Sequence, residues 1–464
     1  MATHYELVVI GAGPAGEKAA AQAAYHGHSV AIIERSAWVG GSAVGSAGVP
    51  TKTLRETALY VTGFRRRDVY GVAPDVDATG VVRHLRERTR EVSTLMERTV
   101  RHNIERHGID LIQGEARLTR DRGVIVTRPD GTAEELNADV ILIATGSRPR
   151  HPPEVPFDDP DVMDSEQVFE LDEPFGSLLV VGGTPIGCEY ASIFAAAGAE
   201  VTLVDRSDRL LKALDEEMSH ALADAFTKLG MRVVLGGGRR PAIERDDRGL
   251  RVTLGNGEVV RPDKVFYSAG RTGNVEELGL EEVGVALDAK RRVIVDDRFE
   301  TNVPRIYAAG DVIGPPSLAS VSMEQGRVAI CHAFGISLKD TVDPLAPLAI
   351  YSIPEAAMVG ETEASAAAGG IDYAVGRHPF ERNTRATISG ATEGLVKLIF
   401  ERDSLRVIGV HIVAEDASEL IHVGQAVIQF EGTLEYFIHG TFAVPTLTDA
   451  YKYAAYDGLT QVGR

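Results

Sequence analysis

The run from Tyr5 to Gly16, Y-E-L-V-V-I-G-A-G-P-A-G, decides how the rest of the chain is read. Tyr5 to Ile10 predicts a short buried strand. Gly11-Ala12-Gly13-Pro14-Ala15-Gly16 predicts a tight turn that opens an alanine-rich helix. Ser29 to Ile33 predicts a second strand, ending at Glu34. Strand, glycine turn, helix, strand and acid in that order form a βαβ unit suited to a dinucleotide. Gly11 permits the turn, Gly13 lets the backbone approach a pyrophosphate, and Gly16 lets helix pack on strand. The helix N-terminus supplies N–H donors and the positive end of a dipole. Glu34 is placed to accept hydrogen bonds from ribose hydroxyls.

The pattern returns downstream. Ser177 to Val181 predicts a strand, Gly182-Gly183-Thr184-Pro185-Ile186-Gly187 a turn, and the residues through Ala197 a helix. Glu200 to Val204 predicts the next strand, ending at Asp205. The interval from first glycine to acid is 23 residues in both copies. A lone glycine fingerprint is weak, but two with matching context and spacing are specific. Thr184 departs from the pattern, standing where the second glycine belongs. A β-branched side chain there obstructs a pyrophosphate, or its hydroxyl hydrogen-bonds a phosphate instead. Asp205 favours an unphosphorylated ribose, while Arg206 and Arg209 offer a 2′-phosphate a partner. The choice between NADH and NADPH stays open.

Around these units the chain reads as a soluble protein of several domains. Its 464 residues are too many for one core. A net charge of -19 argues against nucleic acid or an anionic membrane as a partner. The only cysteines, Cys188 and Cys331, form no metal or disulfide spacing and lie in apolar surroundings, so both are expected to be buried and structural. Met1 to Glu6 has no leader pattern, and no apolar run reaches membrane-spanning length, so a cytoplasmic location is expected.

Between the copies, Val92 to Arg106 predicts a helix. Val140 to Ala144 predicts a strand that runs into Thr145-Gly146-Ser147-Arg148-Pro149. His151 to Pro160 reads as a linker. Beyond the second copy, Ala269-Gly270-Arg271-Thr272-Gly273-Asn274 ends an extended run, and Pro304 to Asp311 predicts a short strand and a sharp turn. From about Pro344 the pattern shifts to short strands and helices, as in a separate α+β domain.

The segment Gly40 to Lys52 reads G-G-S-A-V-G-S-A-G-V-P-T-K. It resembles the redox loop of the flavoprotein disulfide reductases, in which cysteines occupy the positions of Ala43 and Gly48 here. Neither replacement carries a sulfur, so no thiolate chemistry can run through this loop. The resemblance implies an α/β fold: two Rossmann-like dinucleotide-binding domains, for FAD and NAD(P), plus a C-terminal α+β dimerisation domain. Its segments would be 1–150 and 273–343 for FAD, 151–272 for NAD(P), and 344–464 for the interface of a homodimer. FAD would be held by Gly11, Gly13, Pro14, Ala15, Gly16, Glu34, Arg35, Gly41, Ser42, Lys52, Ala116, Thr145, Gly146, Gly310, Asp311 and Ala319. NAD(P) would be held by Gly182, Thr184, Gly187, Glu189, Asp205, Arg206 and Gly270. Lys52 and Glu189 match the family's ion pair beside the flavin's reactive edge. No metal is implied.

The family's C-terminal histidine and glutamate, which serve the thiols, are replaced by Val444 and Asp449. The dithiol and its proton-transfer partner are therefore missing together. Ile186 to Phe194, Gly270 to Asn274, Gly310 to Ser320 and Gly432 to Phe437 are most similar to the family's transhydrogenase branch. That likeness implies hydride transfer from NAD(P)H through FAD to a second small acceptor, NAD(P)+. A quinone-like acceptor is the alternative, and a flavin-binding protein without nucleotide turnover is the rival of another class. Gly45, Ala47 and Gly48 are small, so the loop is expected to leave an open flavin face.

Overall fold

The computed structural model describes residues 3–63, 78–120, 123–171 and 173–463. Met1 and Ala2, the first residues of the N-terminal reading, lie outside them. The chain forms two compact units, each assembled from three stretches. The first takes Met1–Thr51, Glu87–Arg150 and Gly270–Pro344; the second takes Lys52–Arg86, His151–Ala269 and Leu345–Arg464.

In the first unit, strand Thr3–Ile10 lies between Val30–Glu34 and Ala133–Ile143, all parallel. Asp110–Gln113 extends the sheet beyond Val30–Glu34. Besides Thr3–Ile10, the long strand Ala133–Ile143 serves two further partners. Its C-terminal half pairs in parallel with Ile306–Ala308, and its N-terminal half pairs antiparallel with Gly123–Thr127, which carries Glu115–Leu118. Leu7, Val8, Val9, Ile32 and Ile33 are almost wholly buried. Both faces of the sheet are therefore covered, which is why these strands read as unbroken apolar runs. The helix Ala78–Arg106 starts well before the predicted Val92.

The second unit has a five-stranded parallel sheet. Its order is Arg232–Val234, Glu200–Val204, Ser177–Val181, Lys264–Tyr267, Val162–Met163. The expected linker is packed rather than loose. Val155 and Phe157 join the core beside Tyr267, and Arg245 holds Asp159 and Asp161 at 2.5 Å each. Residues beyond Leu345 form an antiparallel sheet ordered Leu348–Ile350, Glu355–Gly360, Val407–Ala414, Leu395–Glu401, Tyr373–Pro379, with helices Ala417–Gln429 and Ala450–Gln461. This is the α/β fold with a C-terminal α+β portion that the sequence implies.

In the same unit the fully buried Lys397 binds Asp215 at 2.7 Å, Glu217 at 2.8 Å and Glu363 at 2.5 Å. Asp215 and Glu217 sit at the start of helix Glu216–Lys228. Among the described residues, no helix is long and apolar enough to cross a membrane.

Candidate active site

The first glycine turn is held by close packing. Gly11 has φ +107° and leaves no room for a Cβ against the Ala144 carbonyl; a Cβ at Gly16 would run into the Gly11 carbonyl oxygen. Gly13 is different: a Cβ there would meet only Gly41 Cα, at 3.9 Å. It precedes helix Pro14–Tyr25 with φ -74° and ψ -177°, and no side chain caps that helix. An open cradle at an uncapped helix N-terminus fits an anionic pyrophosphate.

Glu34 fastens the turn. Its Oε2 accepts the Ala12 N–H at 2.8 Å and its Oε1 the Ser36 N–H at 2.9 Å. Arg35 is exposed beside it. Gly114 N–H donates to the Glu34 carbonyl at 2.9 Å, which sets strand Glu115–Leu118, with the buried Ala116, next to this acid.

Other predicted residues converge on the same turn. A Cβ on Gly41 would lie 2.9 Å from Gly13 Cα, and one on Gly310 would lie 3.2 Å from the Ala15 Cβ. Ser42 follows Gly41 in the short helix Gly41–Gly45, and Ala319 opens helix Ala319–Phe334. Thr145 and Asn274 exchange hydrogen bonds of 2.7 and 2.9 Å, so the strands flanking Gly146 and Gly273 stay paired.

Asp311 accepts the Ser147 hydroxyl at 2.7 Å, and Arg271 Nε donates to the same hydroxyl at 2.8 Å. Arg271 Nη1 is buried with no hydrogen-bond partner among the described residues. An orphaned donor beside Asp311 fits a polar ligand chain. The role of Arg271 was not read from sequence, because its only signal there was membership of a motif.

The redox loop is closed on itself. A Cβ at Gly48 would stand 2.6 Å from the Ala43 carbonyl oxygen and 3.1 Å from its Cα, whereas one at Gly45 would meet nothing within 4 Å. Gly48 is therefore packed against Ala43, while Gly45 has free space beside it.

The second turn, in the second unit, repeats the first. Gly182 has φ +116°, and a Cβ at Gly187 would run into the Gly182 carbonyl oxygen. Asp205 accepts the Gly183 N–H at 2.6 Å and the Ser207 N–H at 2.7 Å, as Glu34 does in the first copy. The hydroxyl of Thr184 is engaged internally. It accepts the Gly187 N–H at 3.2 Å, donates to the Ser268 carbonyl at 3.0 Å, and lies 2.5 Å from Ser268 Oγ.

Arg206 is exposed and makes no side-chain bond among the described residues, whereas Arg209 is tied to Glu216 at 3.4 Å and to the Lys212 carbonyl at 3.3 Å. Gly270, with φ +115°, falls in the first unit and accepts the Arg150 N–H at 3.1 Å; it is not grouped with Gly182 and Asp205.

Lys52 and Glu189 meet in the second unit at 3.0 and 2.9 Å. Tyr351 N–H donates to Glu189 Oε1 at 3.0 Å, and Lys52 Nζ lies 4.6 Å from the centre of the Tyr351 ring. Burial, then the nearby Glu355 charge, raises the pKa of the Tyr351 phenol. Glu189 is buried, while Lys52 keeps 31% of its side chain exposed. A cation held on one side by a carboxylate and a ring keeps its free side for developing negative charge. Cys188, adjacent to Glu189, is fully buried, and burial followed by the Glu189 and Asp205 charges pushes its thiol up. Val444 is exposed, and Asp449 precedes helix Ala450–Gln461.

Residues 5–326 match the pyridine nucleotide-disulphide oxidoreductase family. The chain belongs to that family. Residues 346–455 match the family's dimerisation domain. A soluble pyridine nucleotide transhydrogenase of Mycobacterium bovis is 40% identical over 461 residues, covering 99% of this chain and 98% of the relative. That of Pectobacterium atrosepticum is 38% identical over 466 residues, covering 99% and 98%. Among solved structures, LpdA from Mycobacterium tuberculosis has a TM-score of 0.88 at 29% identity, covering 98% of this chain and 99% of its own. The HOCl-induced flavoprotein disulfide reductase RclA from Escherichia coli has a TM-score of 0.86 at 26% identity, covering 96% and 98%. As a family member the chain is an oxidoreductase that uses FAD and NAD(P)H.

Proposed function

We propose that this oxidoreductase passes hydride between two pyridine nucleotides with no dithiol relay. One observation carries the reading: the loop that would hold the dithiol has no sulfur and is packed shut at Gly48, yet the Lys52–Glu189 pair is intact. Full-length relatives named soluble pyridine nucleotide transhydrogenase support the same reading.

When bound, FAD supplies a two-electron centre able to accept and return a hydride. The N–H groups at Ala15 and Gly16 would hold its pyrophosphate, Glu34 its ribose, and Asp311 its ribityl chain. Lys52 would supply the positive charge that offsets the negative charge developing on reduction. The turn Gly182–Gly187 takes each nucleotide in succession, and Arg206 serves a 2′-phosphate. Segments 1–150 and 273–343 hold FAD, 151–272 holds the nucleotide, and 344–464 joins two copies in a homodimer, with cytoplasm as the working place.

Anaerobic titration with NADH and with NADPH tests this. Flavin absorbance is expected to bleach with at least one donor and to return on adding a nicotinamide analogue. No bleaching with either donor sinks the proposal, and recovery with a quinone alone replaces the second acceptor. Sedimentation velocity tests the dimer.

A further inference from the structure

The two glycine turns of this chain serve as controls for each other. Gly13 and Thr184 occupy the same place with nearly the same backbone, φ -74° and ψ -177° against φ -83° and ψ 167°. Both are followed by a proline, which has no N–H to offer. In both, the first intrahelical bond is the same: Glu17 N–H to the Gly13 carbonyl and Cys188 N–H to the Thr184 carbonyl, each 2.9 Å. The negative φ lets threonine sit there without strain. At this one position the difference is confined to the side chain. The first helix has no side-chain cap, whereas the Thr184 hydroxyl takes the Gly187 N–H and is itself held by Ser268.

We infer that Thr184 sets the affinity of the nucleotide site: its hydroxyl occupies, in the second turn, a helix-end N–H that the first turn leaves for a phosphate oxygen. A nucleotide entering the second turn exchanges one hydrogen bond for another instead of gaining one. The first turn keeps its cofactor, and the second lets its ligand go. This rests on the proposal that Gly182–Gly187 binds NAD(P)H. It fits an exchange in which one nucleotide leaves the site before the next arrives.

The test uses the FAD-loaded full chain and the variants Thr184→Gly, Thr184→Ala and Thr184→Ser. Calorimetry with NAD+ and NADP+ on the oxidised protein gives Kd, and stopped-flow displacement gives the off-rate. Freeing one neutral donor is expected to tighten binding by about fivefold in Thr184→Gly, mostly through slower release. Thr184→Ala is expected to tighten as well, and Thr184→Ser to stay at the parent value. Glycine is the mildest replacement of a capping threonine, and FAD content reports whether the fold is kept. Unchanged or weaker binding in Thr184→Gly overturns the inference, as does tightening in Thr184→Gly but not in Thr184→Ala. If the parent and all variants bind neither nucleotide, the assignment of this turn to NAD(P)H fails along with it.

Discussion

Lys52 Nζ stands 4.6 Å from the centre of the Tyr351 ring, and the Tyr351 N–H grips the same carboxylate that binds Lys52. The lysine is thus fixed by one residue acting through both backbone and ring. Replacing Lys52 with methionine is expected to slow flavin reduction by about a hundredfold, the scale of losing one preorganised charge-stabilising group. Tyr351→Ala is expected to cost about threefold, and Tyr351→Phe close to nothing. Single-turnover reduction by NADH and NADPH measures all three; an unaltered rate in Lys52→Met removes Lys52 from the mechanism.

The closed loop predicts that its ancestry cannot be restored by two substitutions. A side chain at Gly48 must displace the Ala43 backbone. Gly48→Ala is expected to destabilise the protein by about 2 kcal/mol, the usual scale of overpacking. The double variant Ala43→Cys, Gly48→Cys is expected to show no disulfide reductase activity with lipoamide or glutathione. Thermal unfolding and a turnover assay check the pair, and an active double variant would mean that the loop opens easily.

Much of this was legible in the sequence because glycine, proline and acid spacing is set by backbone geometry. Gly11, Gly16, Gly182 and Gly187 sit where any Cβ collides with backbone, so their identity is forced and readable. Other features depend on partners far apart in the chain. The engagement of Thr184 needs Ser268, and the clamp on Lys52 needs Tyr351. The region read as a linker is anchored by Arg245, a residue of strand Ala242–Asp246 with no local signal.

Gly11→Ala or Gly16→Ala is expected to yield protein without flavin, since either Cβ strikes backbone rather than a flexible side chain. Absorbance of the purified protein reads flavin content directly. Trp38 is the chain's only tryptophan and lies between Glu34 and Gly40. Its emission is expected to be quenched on adding FAD to stripped parent protein and to stay unchanged in the two variants.

The Lys397 cluster predicts how stability responds to pH. Burial alone would raise the Asp215 and Glu217 carboxyls, but hydrogen bonds from Lys397, and from Arg377 to Glu217, outweigh it, so both lie below their usual values. Burial would lower Lys397, and its three carboxylates outweigh that, so it lies above its usual value. Depressed carboxyls give stability that is present above their unfolded values, about 4, and lost as pH falls through the folded ones. The raised lysine gives stability that is present below about 10.4 and lost as pH rises through its folded value. The cluster should therefore contribute a flat stability between about pH 5 and 10, with a decline on the acid side. Lys397→Met is expected to cost about 3 kcal/mol near neutrality and to flatten the acid limb. Urea melts across pH test both parts, and a parent-like acid limb in the variant excludes the cluster as its cause.

Arg206 and Arg209 should differ in their effect on nucleotide choice. Arg206 is free among the described residues, and Arg209 is tied to Glu216 and the Lys212 carbonyl. Arg206→Ala is expected to raise KM for NADPH by about tenfold, the worth of one charged hydrogen bond, and to leave NADH alone. Arg209→Ala is expected to change neither by more than about twofold. Equal effects of Arg206→Ala on both donors would take the 2′-phosphate away from it.

The absent dithiol also has a chemical consequence beyond the hydride path. A relay thiolate is the first casualty of peroxide, hypochlorous acid or a soft metal ion, because the form that reacts with substrate also reacts with oxidant. The two thiols of this chain, Cys188 and Cys331, are both free and buried. Oxidants therefore find no exposed thiol among the described residues, and the hydride path has no relay sulfur to lose.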